Sequence, residues 1–303
     1  MNYKKIISSR QTRAKILSLL NWIPDRIMIP LQYRIHTGRK LNLKNPQRFT
    51  EKIQIYKLRY RNPLMLQCTD KYTVRDYVAS KGLSDILIPI IGIYDSLADI
   101  DFESLPNQFV AKTSDGGGGN QVFICRDKSL MKKMVFYNKL KDWMSQPKPK
   151  KQVGREWAYE NGQPRRIIIE HFISDGKNDD IPDYKFFCFN GEIGFIYGIS
   201  DRKCGQSAQI GIYDPDFNKL DVYRTDERPQ EVPLQKPDNY ELMKEIAKAL
   251  SNDFPEVRVD LYNVNGRIYF GELTFYDGSG YMGYEPDSFD FDAGNLFDVT
   301  LFV

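Results

Sequence analysis

"FVAKTSDGGGGNQVFICRD", residues 109–127, sets four consecutive glycines between two short apolar runs, with a lone lysine, Lys112, at the end of the first. The β-branched and aromatic flanks read as two strands, and the glycines as the loop that joins them. With no Cβ atoms in the way, the main-chain N–H groups of Gly116, Gly117, Gly118 and Gly119 can converge on one anion, as a bound phosphate chain requires. A mobile hairpin tip is the alternative reading of the same residues. The spacing matches neither a Walker A loop nor a dinucleotide fingerprint, and no helix pattern opens directly after it.

Downstream and upstream of this unit the texture is mixed. Short β-branched and aromatic runs at 86–94, 108–113, 121–125, 166–173, 184–189, 193–199, 257–263 and 267–275 read as strands, and Asn190-Gly191 and Asn265-Gly266 as tight hairpin turns. Helical spacing recurs at 10–22, 49–61, 70–82, 128–145 and 239–252, with Thr50 an N-cap candidate, Gly82 a stop, and Pro24 and Pro30 breaking the first pattern. The fold class is α+β, with helices packed on mostly antiparallel sheets.

A second constellation lies in "VRVDLYNVNGRIYFGELTFYDGSGY", residues 257–281. Counting back across Asn265-Gly266 brings Asp260 and Glu272 close to opposite each other, and strand alternation sends Arg258 to the same side as Asp260. Opposed acids repel unless a cation sits between them, and carboxylate oxygens of this kind suit Mg²⁺ shared with nucleotide phosphates. An exposed hairpin whose acids are compensated by Arg258 is the plainer reading. A third stretch, "RRIIIEHFI" at 165–173, ends a buried-looking strand in Glu170 and His171; free backbone groups there could read an adenine edge, and Asp183 beyond the loop could reach ribose hydroxyls. Taken singly, His171 reads as an ordinary strand-end histidine rather than a catalyst. With only two histidines in the chain, a catalytic triad or a histidine metal cluster is not available.

Composition bounds the rest. The chain has 303 residues, 41% of them hydrophobic, and a net charge of +3. Residues 1–61 hold 15 Lys/Arg against Asp25 and Glu51, so the positive charge is concentrated in one segment. An anionic partner surface or a merely solvated face both explain it. Four scattered cysteines without CxxC pairing argue against disulfides and zinc and suit a reducing cytoplasm, and no apolar run reaches membrane-spanning length.

Taken in order, these pieces resemble the ATP-grasp superfamily: a "DK" helix start, a strand–lysine–glycine-loop–strand unit, a strand ending in an acidic hinge and a closing R-x-D…E hairpin. "NPLMLQCTDKYTVRDYV", "LPNQFVAKTSDGGGGN", "DYKFFCFNGE" and "FPEVRVDLYNVNGRIYFGELTF" look similar to its teichuronopeptide-biosynthesis-like branch, found in surface-polysaccharide gene sets. The resemblance implies two ATP-gripping α+β subdomains, 63–173 and 174–303, behind a basic helical segment, 1–62, in place of the usual Rossmann-like leading domain. It assigns Lys71 and Lys112 to the phosphates under the glycine loop, and Glu170 with the backbone of His171, Phe172 and Ile173 to adenine. Asp183 goes to the ribose, Arg258 to the transferring phosphate, and Asp260 and Glu272 to magnesium. Gly278, Ser279 and Gly280 fall near the acceptor; apart from the resemblance, Lys185 and Arg202, the latter in "SDR", are candidates for the substrate carboxylate, with a plain surface arginine the other reading of Arg202. Where many ATP-grasp ligases carry an asparagine two residues after the metal-binding glutamate, this chain has Thr274.

The implied activity is an ATP- and Mg²⁺-dependent carboxylate–amine ligase working through an acyl phosphate. Its partners would be a small amine or amino acid and a saccharide carboxylate, with a membrane surface or anionic glycan meeting residues 1–61 and no nucleic acid. A sugar kinase would use the same nucleotide groups, and a glycosyltransferase lacks any convincing DxD signature here. The expected location is the cytoplasm, peripheral to the inner face of the membrane.

Overall fold

The computed structural model describes residues 19–117, 121–148, 151–160, 163–176, 181–200 and 208–302. Strands β1 (Ile90–Tyr94), β2 (Phe109–Thr113), β3 (Val122–Cys125) and β4 (Ile167–His171) form an antiparallel sheet ordered β1-β4-β2-β3. A second sheet is ordered β11-β10-β5-β6-β7-β9, from β5 (Asp183–Phe189), β6 (Glu192–Ser200), β7 (Gln209–Tyr213), β9 (Arg228–Pro229), β10 (Glu256–Val264) and β11 (Arg267–Thr274); β8 (Tyr223–Arg224) pairs with β12 (Tyr284–Glu285). The helices are α1 (Asp25–Thr37), α2 (Phe49–Arg59), α3 (Leu64–Cys68), α4 (Val74–Ser80), α5 (Lys133–Ser145), α6 (Trp157–Glu160), α7 (Tyr240–Ser251) and α8 (Ser288–Leu296).

Both expected hairpin turns form. Asn190, Gly191, Asn265 and Gly266 all take positive φ, the geometry that matches the twist of the flanking strands. Beneath the smaller sheet, Phe109, Ala111, Ile167 and Ile169 pack on Phe136, Leu140 and Trp143 of α5. The larger sheet is buried on both faces. On one, Phe186 stacks on Tyr240 of α7 and Cys188 Sγ lies 4.0 Å from the Ala247 carbonyl. On the other, Phe49 of α2 meets Phe187, Phe189 and Phe195 edge-on. Each such aromatic removed from water contributes about 1.5–3 kcal/mol.

Several expectations change. Helix α2 is core: eight of its eleven residues are buried. It begins at Phe49, so Thr50 is not its cap; Thr50 Oγ1 lies inside the helix and donates to Asp290 at 2.8 Å, while Glu51 accepts the N–H groups of Asn42, Gln47 and Arg48. Pro24 follows a turn at 20–23 and precedes α1, so it separates the first pattern from the next helix, whereas Pro30 breaks nothing and lies within α1, where burial of Met28, Ile29, Gln32 and Tyr33 outweighs the lost hydrogen bond. Residues 10–18 of the expected amphipathic helix lie outside the described residues. Strand β7 and helix α8 were not anticipated.

Candidate active site

Two glycine-bearing turns and one charged hairpin converge on a cleft of about 490 Å³. Its walls include Lys71, Asp115, Gly116 and Gly117 on one side and Arg258, Glu272, Thr274, Asp277 and Gly278 on the other, with Glu156 and Tyr159 between them.

The β10–β11 hairpin builds the acidic wall. Simple counting from the Asn265-Gly266 turn pairs Leu261 with Phe270, but the register then slips at Gly271, so that Asp260 faces Glu272. This bulge places Glu272 on the same face as Asp260; a regular ladder would turn it to the opposite face. Glycine suits the bulge because a Cβ there would sit 3.0 Å from the Asp260 carbonyl oxygen, tighter than an ordinary contact.

Arg258 lies among three carboxylates. Its Nε and Nη2 each donate to Asp260 at 2.7 Å, Nη2 also reaches Glu272 at 3.2 Å, and Nη1 donates to Asp277. Burial by itself would lower its pKa, but the surrounding acids outweigh that and raise it. Asp260, burial notwithstanding, is held below the usual carboxylate range by Arg258 and Lys185. Lys185 spans Asp260 and Asp183, the latter at 2.8 Å. Asp277 is gripped from its other side by Arg224 at 3.3 Å. Below Arg258, the Glu256 carboxyl is fully buried with neither oxygen hydrogen-bonded among the described residues, and burial, reinforced by Asp277, pushes its pKa well up.

On the facing wall, the Lys71 N–H donates to the Ser114 carbonyl at 2.8 Å and its ammonium donates to the Gly116 carbonyl. Burial depresses the Lys71 pKa, with Glu272 pulling the other way. Asp115, held by Arg165 at 2.8 Å, anchors the base of the glycine loop. Gly118 and Gly119 lie outside the described residues, as does Arg202.

The adenine-assigned residues lie apart from these walls. Lys112 donates to the buried Glu170 carboxylate at 2.6 Å, and Arg75 approaches the same group at 3.9 Å. The His171 N–H donates to the Pro89 carbonyl at 3.1 Å, Phe172 lies under the Arg126 guanidinium, and Ile173 follows the end of β4. Glu170 is thus positioned through its side chain by Lys112, while its backbone sits in the ladder between Ile90 of β1 and Val110 of β2.

Sequence reading singled out Gly278, Ser279 and Gly280 but missed the groups that hold them, Gln54, Lys57 and Glu156. Ser279 Oγ donates to Glu156, and the Ser279 carbonyl accepts from Lys57 Nζ at 2.7 Å and Gln54 Nε2 at 3.1 Å. Lys57 is almost wholly buried and its pKa is pulled down to about 8, while burial raises that of Glu156. The signal was present in "DGSGY": Gly278, Ser279 and Gly280 all take positive φ, a turn that only small residues tolerate in succession.

The donor chemistry fits a triphosphate, for which the Gly116–Gly117 backbone, Lys71 and Arg258 supply N–H groups and positive charge around one void. Among the described residues no cluster of three or more His, Cys, Asp or Glu forms a metal cage. Of the two opposed acids, Glu272 lines the cleft and fits an ion such as Mg²⁺ that completes its shell with phosphate oxygens and water, whereas Asp260 is buried with both oxygens bonded to Arg258 and Lys185. Thr274 Oγ1, where the asparagine would stand, donates to Glu272 at 3.3 Å.

No curated protein matches the sequence. A family model described as TupA-like ATPgrasp matches residues 51–298. Among solved structures, a D-alanine–D-alanine ligase from Bacillus anthracis is similar at 18% identity and a TM-score of 0.43, over 69% of this chain and 57% of that one. An L-amino acid ligase from Bacillus licheniformis is similar at 17% identity and a TM-score of 0.47, over 79% of this chain and 52% of that one. An N5-carboxyaminoimidazole synthetase from Staphylococcus aureus complexed with ADP is similar at 15% identity and a TM-score of 0.39, over 69% of this chain and 44% of that one. The chain spans about half the length of these solved proteins.

Proposed function

Because the chain belongs to the TupA-like ATP-grasp family, we propose that it is an ATP- and Mg²⁺-dependent carboxylate–amine ligase. It joins an amino acid or other amine to a uronic-acid-type carboxylate of a surface polysaccharide or its precursor. The observation that supports this best is convergence: Lys71, Gly116, Arg258 and Glu272 come from distant parts of the chain yet wall one cleft.

In this reading the four-stranded sheet and the six-stranded sheet belong to the two gripping halves, 63–173 and 174–303. The glycine loop lies over the phosphates, Lys112 orients Glu170 at the adenine end, and Asp183 serves the ribose. A carboxylate oxygen attacks the terminal phosphorus, the bond to ADP breaks, and the amine nitrogen then attacks the acyl carbon, expelling phosphate and losing a proton. Phosphoryl transfer of this kind asks a protein for positioning and for positive charge rather than for a nucleophile. Lys71 and Arg258 supply that charge; a phosphate in the cleft would also favour the protonated form of Lys71 that burial disfavours. Asp260 and Glu272 would hold Mg²⁺, whose charge neutralises phosphate oxygens when bound. Ser279, with Lys185 and Arg202, is assigned to the acceptor.

The test is purified protein with Mg-ATP, a panel of uronic acids and a panel of amines, scored for ADP and phosphate. Phosphate release that requires both the acid and the amine, with an amide product by mass spectrometry, is expected. A stable phosphorylated sugar formed without any amine would replace the ligase with a kinase.

A further inference from the structure

We propose that helix α1, together with the turn before it, is an interfacial docking element for an anionic lipid bilayer. The inference does not depend on the reaction assigned above.

Helix α1 buries one face, through Met28, Ile29, Gln32 and Tyr33. The neighbouring, solvent-facing side is apolar too: Ile27, Leu31 and Ile35 recur at every fourth position and are 61%, 47% and 44% exposed. That spacing forms a continuous stripe one helical turn per residue. Leu19 and Trp22, 75% and 79% exposed, extend it beyond the helix start. Arg34, three residues from Leu31 and seven from Ile27, falls within the stripe, and Arg26 flanks it; both are exposed.

The turn bearing Trp22 is held by the protein. Arg155, 3% exposed, donates to the carbonyls of Leu20 and Ile23 at 2.9 and 3.0 Å. A buried guanidinium thus fixes a turn whose tryptophan points to water. Indole rings and apolar stripes edged by arginine belong at the headgroup–acyl boundary, where one end is dry and the other wet.

Charge selects the occupant. Residues 1–61 carry 15 basic and two acidic side chains; Arg39 and Arg48 are paired with Asp287 and Lys57 is buried, but Arg26, Arg34, Lys40 and Lys44 stay exposed. Asp25 is paired with Lys151 at 2.8 Å and Arg155 at 3.0 Å, and Glu51 is buried. A second copy of this chain would present the same positive face and be repelled; an anionic bilayer is attracted. No helix among the described residues is long and apolar enough to cross a membrane, so the element lies on the surface. Its inner side connects to the cleft: Tyr281 OH, just past the Gly278–Gly280 turn, donates to Gln32 at 3.1 Å. Docking α1 therefore sets the acceptor end of the cleft roughly one helix diameter, about 10 Å, from the headgroups.

The test is flotation of the full chain with vesicles of phosphatidylcholine containing phosphatidylglycerol, against phosphatidylcholine alone. Binding to the anionic vesicles is expected, weakened about tenfold or more by Arg26→Glu/Arg34→Glu or by Leu31→Ser, and by raised salt. The Trp22 contribution to fluorescence, isolated as the difference from Trp22→Phe, is expected to shift to the blue on vesicle addition; this reading in the otherwise unaltered chain stands even if a charge variant folds poorly. No binding to anionic vesicles, binding that survives both variants, or a Trp22 emission already blue without lipid would overturn the proposal. So would a dimer in sedimentation velocity that Leu31→Ser dissolves, since the stripe would then be a contact between copies.

Discussion

Asp260 stands directly opposite Glu272 across the β10–β11 ladder, on one face of the sheet, because the strand slips by one residue at Gly271. Arg258 touches both acids and Asp277 besides. The charges at this wall are therefore interdependent, and substitutions there separate into those that strip a buried carboxylate of its partner and those that leave the cluster balanced.

Arg258→Ala removes the cation from beside Asp260 and Asp277, which are 2% and 3% exposed. Leaving a buried charge uncompensated costs about 3–5 kcal/mol, and because Lys185 still holds Asp260 and Arg224 still holds Asp277 the loss falls toward about 3 kcal/mol. Urea denaturation is expected to show a loss of that size, and ligase activity to vanish with it.

Glu272 is different, since its side chain is 38% exposed to the cleft and carries less of the fold. Glu272→Gln should leave the denaturation midpoint nearly unchanged while raising the Mg²⁺ concentration needed for half-maximal ADP release and lowering kcat roughly 10²-fold or more. An unaltered Mg²⁺ dependence would remove Glu272 from the proposed metal site.

Lys57 gives a pH signature. Its folded pKa of about 8 lies below its ordinary 10.5, so between these values the unfolded chain binds more protons than the folded one, and stability rises with pH across that window. Relative to Lys57→Met, the unaltered protein should gain on the order of 3 kcal/mol as pH climbs from 8 to 10.5. Parallel pH curves for the two proteins would contradict this.

Glu256 behaves oppositely. Burial raises its pKa above 4.5, so the folded state keeps a proton that the unfolded state releases, and stability falls as pH rises from 4.5 toward the raised value. Glu256→Gln keeps the shape without the acid. Its denaturation midpoint should match the unaltered protein near pH 4 and exceed it at pH 7.

Two glycines separate fold from binding. A Cβ on Gly280 would meet Gln54 Nε2 at 2.3 Å, on a backbone already at φ +66°, whereas a Cβ on Gly117 would meet nothing within 4 Å. Gly280→Ala is expected to cost more than about 1 kcal/mol in thermal unfolding. Gly117→Ala should stay within about 0.5 kcal/mol of the unaltered protein and yet weaken ATP binding in calorimetry, because its methyl group would face the phosphates.

Much of this was legible along the chain because it is local. Alternation of apolar residues marked the strands, and the Asn-Gly pairs specified the turns through their tolerance of positive φ. The R-x-D and E-L-T stretches announced a charged hairpin. Strand β7 and helix α8 were hidden because the first lies in a long polar region and the second carries two aspartates, one of which, Asp290, is buried by bonding to Thr50 rather than exposed. Local pattern cannot register a partner more than two hundred residues away.

By itself, then, the sequence settled most of the strands and helices that flank the cleft, where the hairpins close, and which residue types are rich enough in charge or poor enough in side chain to handle phosphate. Only the tertiary structure decided that Gly271 would bulge and bring Glu272 around to Asp260, that Lys57 and Glu156 would meet behind Ser279, and that one face of α1 would be sealed while the other stayed bare. Backbone preference acts over neighbouring residues, whereas the cost of burying a charge is resolved by whichever distant groups the packed chain delivers to it.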